Sequence, residues 1–330
     1  FIALLCSGFV SSKIGHKKTI AFSAIAAGIA FILTGLSQGL IGMRTGLFCV
    51  GMASALYLPS GMAMLTSSID QGNWGKAIGI HELAPNLSFL LSPLICEVFL
   101  LTLPWRGVFF IIGGVSIVLG FSFFRFSSVN DFFGESPTLT AFLPLAGKRS
   151  FWIMVVLFTL GVGGTLGVYS MLPLFLVDIH GIPQAQANSL ITMSRILTLP
   201  MPLFIGWVSD RVGLKPTLSA VLFLTGLTTL LVGVMEGQLI KMAIFCQPLM
   251  AVCFFTPAFA ALSQIGSKKI QNIAISFTIP IAFFLGGGVV PNLIGIMGDH
   301  GFFSMGFIIF GSLSCLGSFI PLFLKFHQDN

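Results

Sequence analysis

Charged residues are few in this sequence: 16 Lys or Arg and 10 Asp or Glu among 330, or 8%, where soluble domains carry about 25%. So few charges cannot cover a water-soluble body of this size, which excludes a soluble globular protein. Metal-spaced clusters are missing too. The six cysteines (Cys6, Cys49, Cys96, Cys246, Cys253, Cys315) all stand in apolar runs with no C-x-x-C and no neighbouring His pair. They are expected to be small buried residues, neither disulfides nor metal ligands. No G-x-x-x-x-G-K-[ST] loop occurs, which argues against a built-in ATPase, and no Ser/His/Asp set supports an intramembrane enzyme. Gly161, Gly163, Gly164 and Gly167 form no dinucleotide loop, because Leu166 breaks the G-x-G-x-x-G spacing and no strand precedes them; close packing or hinging is the better reading. The opening FIALLCSGFV carries its positive charge after the apolar run, the reverse of a secretory signal, and begins with Phe, so the chain is expected to start inside a longer gene product.

What is present is apolar residue: 55% of the chain, a mean hydropathy of +1.02, and runs of about 20 residues, the length that crosses a bilayer as a helix. These runs are too long and too evenly apolar for the alternating strands of a membrane barrel. Eleven helical spans are expected, near 1–10 (half length), 18–37, 40–66, 77–103, 106–124, 151–177, 187–208, 216–235, 239–263, 271–297 and 302–324. The net charge of +6 does not point to nucleic acid, because the cations gather in alternate gaps between spans. One set of gaps holds Lys13, Lys17, Lys18, Lys76, Arg125, Lys148, Arg149, Arg211, Lys215, Lys268, Lys269 and Lys325; the other holds Arg106 and Lys241. By the positive-inside rule the first set faces the cytoplasm, which makes a lipid bilayer the expected partner.

The chain also repeats itself. An offset of 198 residues lays GFVSSKIGHK (Gly8 to Lys17) on GWVSDRVGLK (Gly206 to Lys215), matching both glycines, the Val-Ser pair and both basic positions, and carries Pro93 onto Pro291. Two homologous halves follow: 1–124 as a first helical bundle and 151–330 as a second of six helices. Between them, 125–150 is the longest polar interruption and is expected to be a cytoplasmic linker, with Leu139 to Leu145 apolar enough to lie on the membrane surface. The first half has five spans where the second has six. A helix preceding residue 1 is therefore expected to complete it, giving twelve.

These two loops resemble the G-x-x-x-D-[RK]-x-G-x-[RK] signature that follows the second and eighth helices of major facilitator superfamily transporters. Arg44 with the Gly/Ala-rich run to Pro59 is similar to that family's fourth-helix pattern, and Trp105-Arg106-Gly107-Val108-Phe109 resembles the start of its sixth helix. The resemblance spans essentially the whole chain and implies two pseudo-symmetric bundles with a solute site between them, exposed alternately to each side. It assigns the loop residues Gly8, Lys13, Gly15, Lys17, Gly206, Asp210, Arg211, Gly213 and Lys215 to stabilising one state of that cycle. The first copy departs from the pattern: Ser12 stands where the acid belongs, and a hydroxyl accepts a helix-terminal N–H less strongly than an ionised group.

Ionisable residues inside spans cost about 2.5–3.5 kcal/mol on insertion scales and are therefore candidates for binding or coupling. Arg195 lies roughly 12 Å into its span at 1.5 Å per residue. Asn188, Thr192 and Thr198 fall within about 60° of it on a continuous helix, a polar stripe suited to a carboxylate or phosphate. On the span 77–103, Glu82, Asn86, Phe89, Pro93 and Glu97 share an arc of about 80°, and His81 beside Glu82 makes a pair able to titrate near neutral pH. Arg44 sits barely a turn inside its outer end, where it can snorkel to water. Gly286-Gly287-Gly288 before Pro291 should soften its helix.

The sequence therefore specifies an all-α polytopic membrane protein and a secondary transporter of a small solute, with a proton-coupled organic anion carrier as the finer reading. No cofactor and no metal are expected, and a monomer in a bacterial-type cytoplasmic membrane is. The absence of the G-x-x-x-G-P pattern from 77–103 disfavours a drug/proton antiporter. A transport-inactive sensor or scaffold of the same fold stays open, as do solute, direction and coupling ion.

Overall fold

The structure, a computed structural model, describes residues 2–129, 131–134, 139–265 and 268–325. The expectations for Pro93, Cys96, Glu97, Lys268 and Lys269 fall outside the described side chains, and those for 135–138 of the linker outside the described residues. Among the described residues there is no strand. The helices are α1 (Ile2–Ile14), α2 (His16–Leu36), α3 (Leu40–Ser54), α4 (Tyr57–Ser67), α5 (Trp74–Leu100), α6 (Trp105–Phe126), α7 (Leu139–Ala146), α8 (Arg149–Val162), α9 (Val168–Asp178), α10 (Gln184–Ile196), α11 (Met201–Val212), α12 (Leu214–Val234), α13 (Gly237–Ala251), α14 (Phe255–Leu262), α15 (Lys268–Ala282), α16 (Val290–Asp299) and α17 (Phe303–Gly317). Each of the eleven expected spans falls on helix. Among the described residues, eight helical stretches are long and apolar enough to cross a membrane, and a ninth is added if α10 and α11, bent by 42° at their junction, count as one span.

Large apolar side chains stay on the outside, among them Leu33, Ile41, Phe48, Val118, Phe121 and Leu316. In lipid such residues cost nothing, and helices associate instead where small residues let backbones approach. The 198-residue repeat shows this directly. A Cβ on Gly113 of α6 would lie 2.6 Å from the Gly28 carbonyl oxygen of α2, and one on Gly311 of α17 would lie 2.7 Å from the Gly226 carbonyl of α12. Adding 198 turns the first pair into the second. Gly15 and Gly213, also 198 apart, end the preceding helices at φ 88° and 97°, a region closed to side chains with a Cβ, and the hydroxyls of Thr19 and Thr217 each donate 2.7 Å to the carbonyl of that glycine.

Contacts group the chain into two compact units: Phe1–Ile69 with Leu91–Leu145 and Ser267–Pro280, and Asp70–Leu90 with Ala146–Gly266 and Ile281–Asn330. In the second unit an aromatic core forms around Phe175, whose ring lies 5.3 Å from Phe303 and 4.6 Å from Phe307. Two segments of that unit are π-helical, Gly163–Gly167 between α8 and α9 and Phe283–Val289 between α15 and α16. They face each other through glycine: a Cβ at Gly286 would sit 2.7 Å from the Gly163 nitrogen, and one at Gly167 2.8 Å from the Gly286 carbonyl. The expected softening at Gly286-Gly287-Gly288 thus coincides with a departure from α geometry.

Candidate functional site

Arg195 is the largest fully buried side chain, 1% exposed, and lies in the last turn of α10. Pro200 and Pro202 follow the end of that helix: neither has an N–H to carry the ladder back to Ile196 or Thr198, and Pro202 sits in the first turn of α11, where none is needed. The stripe expected from a continuous helix is accordingly interrupted. Thr198 falls in the turn beyond Ile196, where it is buried and its hydroxyl donates 2.7 Å to the Arg195 carbonyl, closing the helix end. Thr192 is half-buried one turn before Arg195, and Asn188, two turns before, is exposed.

The Arg195 guanidinium is held by aromatic faces. Its central carbon lies 3.9 Å from the Tyr169 ring centroid and 5.0 Å from that of Phe89, and these two rings meet edge-on at 5.8 Å. Cation–π attraction of this kind contributes up to about 2 kcal/mol when desolvated. One nitrogen, Nη2, reaches the Thr165 carbonyl at 3.5 Å, while Nε and Nη1 are buried with no partner. No carboxylate pairs with Arg195 among the described residues.

Phe89 joins this site to the face expected on α5. Glu82, Asn86 and Phe89 follow one another at helical spacing, with Glu82 5% and Asn86 4% exposed. The Asn86 amide donates 2.7 Å to the Glu82 carbonyl, and His81 Nδ1 stands 3.1 Å from Glu82 Oε1. The two candidate faces, separate in sequence, meet where Phe89 covers Arg195. Arg44 is not part of this assembly: it is exposed on α3, in the other unit.

The signature loops are built differently from each other. In the second, the Asp210 carboxylate accepts the amides of Gly75 and Lys76 at the start of α5, where the positive helix end favours an anion. A Cβ on Gly75 would collide with that carboxylate, and one on Gly206 with the Gly75 carbonyl. Arg211 lies 4.3 Å over the exposed Trp207 ring. A cavity of about 390 Å³ opens beside this loop, between Trp74, Asp210, Lys215 and Gln264.

In the first loop, Gly8 is buried and Lys13 exposed, and the Ser12 hydroxyl donates 2.9 Å to the Phe9 carbonyl of its own helix. Here the acid comes from the linker. The Lys17 amide donates 2.9 Å to Asp131 Oδ1, the Lys17 ammonium 2.6 Å to the Ser127 carbonyl, the His16 amide 3.0 Å to the Phe132 carbonyl, and the Gly134 amide 3.2 Å to the Ser11 carbonyl. Residues 131–134 thus clip onto the turn between α1 and α2 and cap α2. The second half needs fewer such partners at the start of α12, because Pro216 has no N–H to satisfy.

Sequence reasoning missed four participants: Tyr169, Thr165, Gln247 and Asp131. Gln247 had a visible signal, a lone amide in the apolar run 239–263.

Comparison with known proteins agrees with this architecture. The family model described as Major Facilitator Superfamily matches residues 1–264 and 168–329. The chain is 24% identical over 337 residues to "Multidrug efflux protein YfmO" of Bacillus subtilis (strain 168), covering 97% of this chain and 80% of that one. Among solved structures, the E. coli fucose:proton symporter FucP superposes with a TM-score of 0.82 at 14% identity, covering 98% of this chain and 88% of that one. The human organic anion transporter MFSD10 (TETRAN) does so with 0.79 at 12%, covering 97% and 80%. At these identities the structural likeness concerns the fold.

Proposed function

The chain belongs to the major facilitator superfamily and is a multi-pass secondary transporter, not an enzyme; we propose that it carries an organic anion together with a proton. One observation carries the anion: a guanidinium 1% exposed, without a carboxylate partner, with two buried N–H-bearing nitrogens unpaired. Leaving buried donors of a charged group unmet costs several kcal/mol, and an anionic oxygen presented to them removes that cost. Glu82, buried beside His81 and two turns from Phe89 on the same face of α5, is the proton carrier in this reading, with Asn86 fixing its helix turn. Asn188 and Thr192 line the approach to Arg195, Thr198 closes the helix behind it, and Arg44 serves as an outer cation.

The halves 1–124 and 151–330, joined by the linker 125–150, are the bundles that rock in alternating access. The signature loops hold one state through Asp210 and the α5 amides. The basic gaps face the cytoplasm of a bacterial-type cell, and the protein acts as a monomer. The relatives, an efflux protein, a proton symporter and an organic anion transporter, support a solute carrier over a sensor or scaffold.

The test is a thermal-shift screen of organic anions, cations and neutral solutes, followed by vesicle uptake of the best hit. Arg195→Lys keeps the charge but loses the planar fork, so affinity for an anion should fall at least about tenfold. Glu82→Gln should abolish the pH dependence of uptake and leave solute exchange largely intact. Unchanged affinity in Arg195→Lys rejects the anion assignment, and wild-type pH dependence in Glu82→Gln rejects the proton role.

A further inference from the structure

The π turn at Gly163–Gly167 takes side-chain hydrogen bonds from two other helices. A π turn lengthens the helical ladder, so carbonyls within it lose their regular amide partners and must find others. For Gly164 and Thr165 they come from other helices. The Gly164 carbonyl accepts 2.8 Å from Nε2 of Gln247 on α13, a side chain 1% exposed that also donates 3.3 Å to Thr229 Oγ1 on α12. The Thr165 carbonyl accepts from Arg195 on α10. The Thr165 hydroxyl donates 2.9 Å to Gly161 and 3.2 Å to Ala251. The glycines are dictated by this crowding, since a Cβ at Gly161 would fall inside the Phe254 ring and one at Gly163 2.6 Å from Phe310.

We propose that Gln247 is a positioning residue for the Arg195 site: by taking the Gly164 carbonyl it fixes the register of the π turn, and so the place at which Thr165 and, one turn later, Tyr169 meet the guanidinium. A regular α turn at this point would give the Gly164 carbonyl an amide partner, leave Gln247 with only the longer bond to Thr229 in an apolar interior, and rotate Tyr169 about the helix axis by roughly 100°, the step of one residue. The hydrogen bonds of Gln247 go to Gly164 and Thr229, not to the guanidinium. The proposal rests on reading Arg195 as the solute contact, but its test does not require a solute.

The test is a double-mutant cycle read by amide hydrogen exchange of residues 161–170 in the whole chain in nanodiscs. Gln247→Met, which keeps length and removes the donor, should speed exchange of this segment roughly five- to tenfold, the loss of one buried hydrogen bond. Arg195→Lys should speed it by a smaller factor. The double variant should match Gln247→Met alone, because once the turn has lost its register Arg195 no longer meets Thr165. Multiplying effects would show that Gln247 supports only the fold, and unchanged exchange in Gln247→Met would overturn the proposal outright. Should Gln247→Met fail to reach the membrane, Gln247→Leu, which has no donor and suits the apolar surroundings, is held to the same outcomes. If the cycle couples and no organic anion binds in the solute screen, the positioning role stands and the anion reading falls.

Discussion

Adjacent glycines on α6 allow a sharp test of the packing. Gly113→Ala places a methyl 2.6 Å from the Gly28 carbonyl oxygen and 2.7 Å from Ile32 Cγ1, with the Ile32 nitrogen at 3.2 Å; Gly114→Ala places the same methyl where nothing lies within 4 Å. To restore an ordinary contact of about 3.4 Å, α2 and α6 must separate by about 0.8 Å at their crossing. The Ile32 side chain can turn, but the Gly28 oxygen and the Ile32 nitrogen are backbone and have no rotamer to yield. Overpacking of this kind costs about 1–3 kcal/mol. Both substitutions gain up to about 1 kcal/mol of helix propensity, so that term cancels in the comparison. Gly113→Ala should therefore be about 1–3 kcal/mol less stable than Gly114→Ala, a drop in melting temperature of roughly 2–6 °C. Thermal unfolding of the two variants side by side in one detergent, followed by thiol-reactive dye at the native cysteines, measures it. Gly311→Ala, 198 residues on, should repeat the Gly113→Ala result. Equal melting of Gly113→Ala and Gly114→Ala would refute the close crossing.

Three further outcomes follow from the geometry. A cysteine introduced at Lys76 should be labelled by a membrane-impermeant thiol reagent only from the cytoplasm, and one at His180 only from outside; labelling at 180 from the cytoplasm would reverse the orientation. Asp210→Ala removes the acceptor of two α5 amides and should lower stability by about 1 kcal/mol, whereas Ser12→Ala should do less, and equal losses by thermal melting would contradict the asymmetry of the two loops. Burial against Phe175 lowers the pKa of His180 below its usual 6.5, with Glu236 partly opposing, so the folded state binds fewer protons there than the unfolded chain. Stability should thus fall as pH drops through 6.5, and His180→Gln should melt with a shallower loss between pH 7.5 and 5.5 than the parent protein.

How much of this was legible in the sequence depends on whether the signal is local or periodic. The spans were, since lipid imposes length and apolarity on each by itself. The repeat was also legible through Gly15 and Gly213, which recur at a turn where no other residue fits; that Gly28 with Gly226 and Gly113 with Gly311 keep the same offset at helix crossings emerged only from the packing. Arg195 and the Glu82, Asn86 and Phe89 face stood out as costly residues in apolar surroundings. Their meeting through Phe89 did not, since nothing in either helix's own period says which neighbour it touches. The stripe through Thr198 assumed a continuous helix, although Pro200 and Pro202 announced the break. The π turn was hidden because its register is set by a side chain on another helix, Gln247, and the Asp131 cap because its partner lies 114 residues away.

The clip formed by residues 131–134 bears on how this chain divides into pieces. A gene cut after Gly134, expressed as two polypeptides, hands the amino-terminal fragment everything its second helix needs: the Asp131 carboxylate on the Lys17 amide and the Phe132 carbonyl on that of His16. Cutting a few codons earlier, at Ser127, gives the same helices to each fragment but sends the cap away with the wrong partner. Two divisions of the gene that look equivalent on a hydropathy plot should then differ in whether the fragments reassemble, because the cap of α2 lies later in the chain than the last residue of α6.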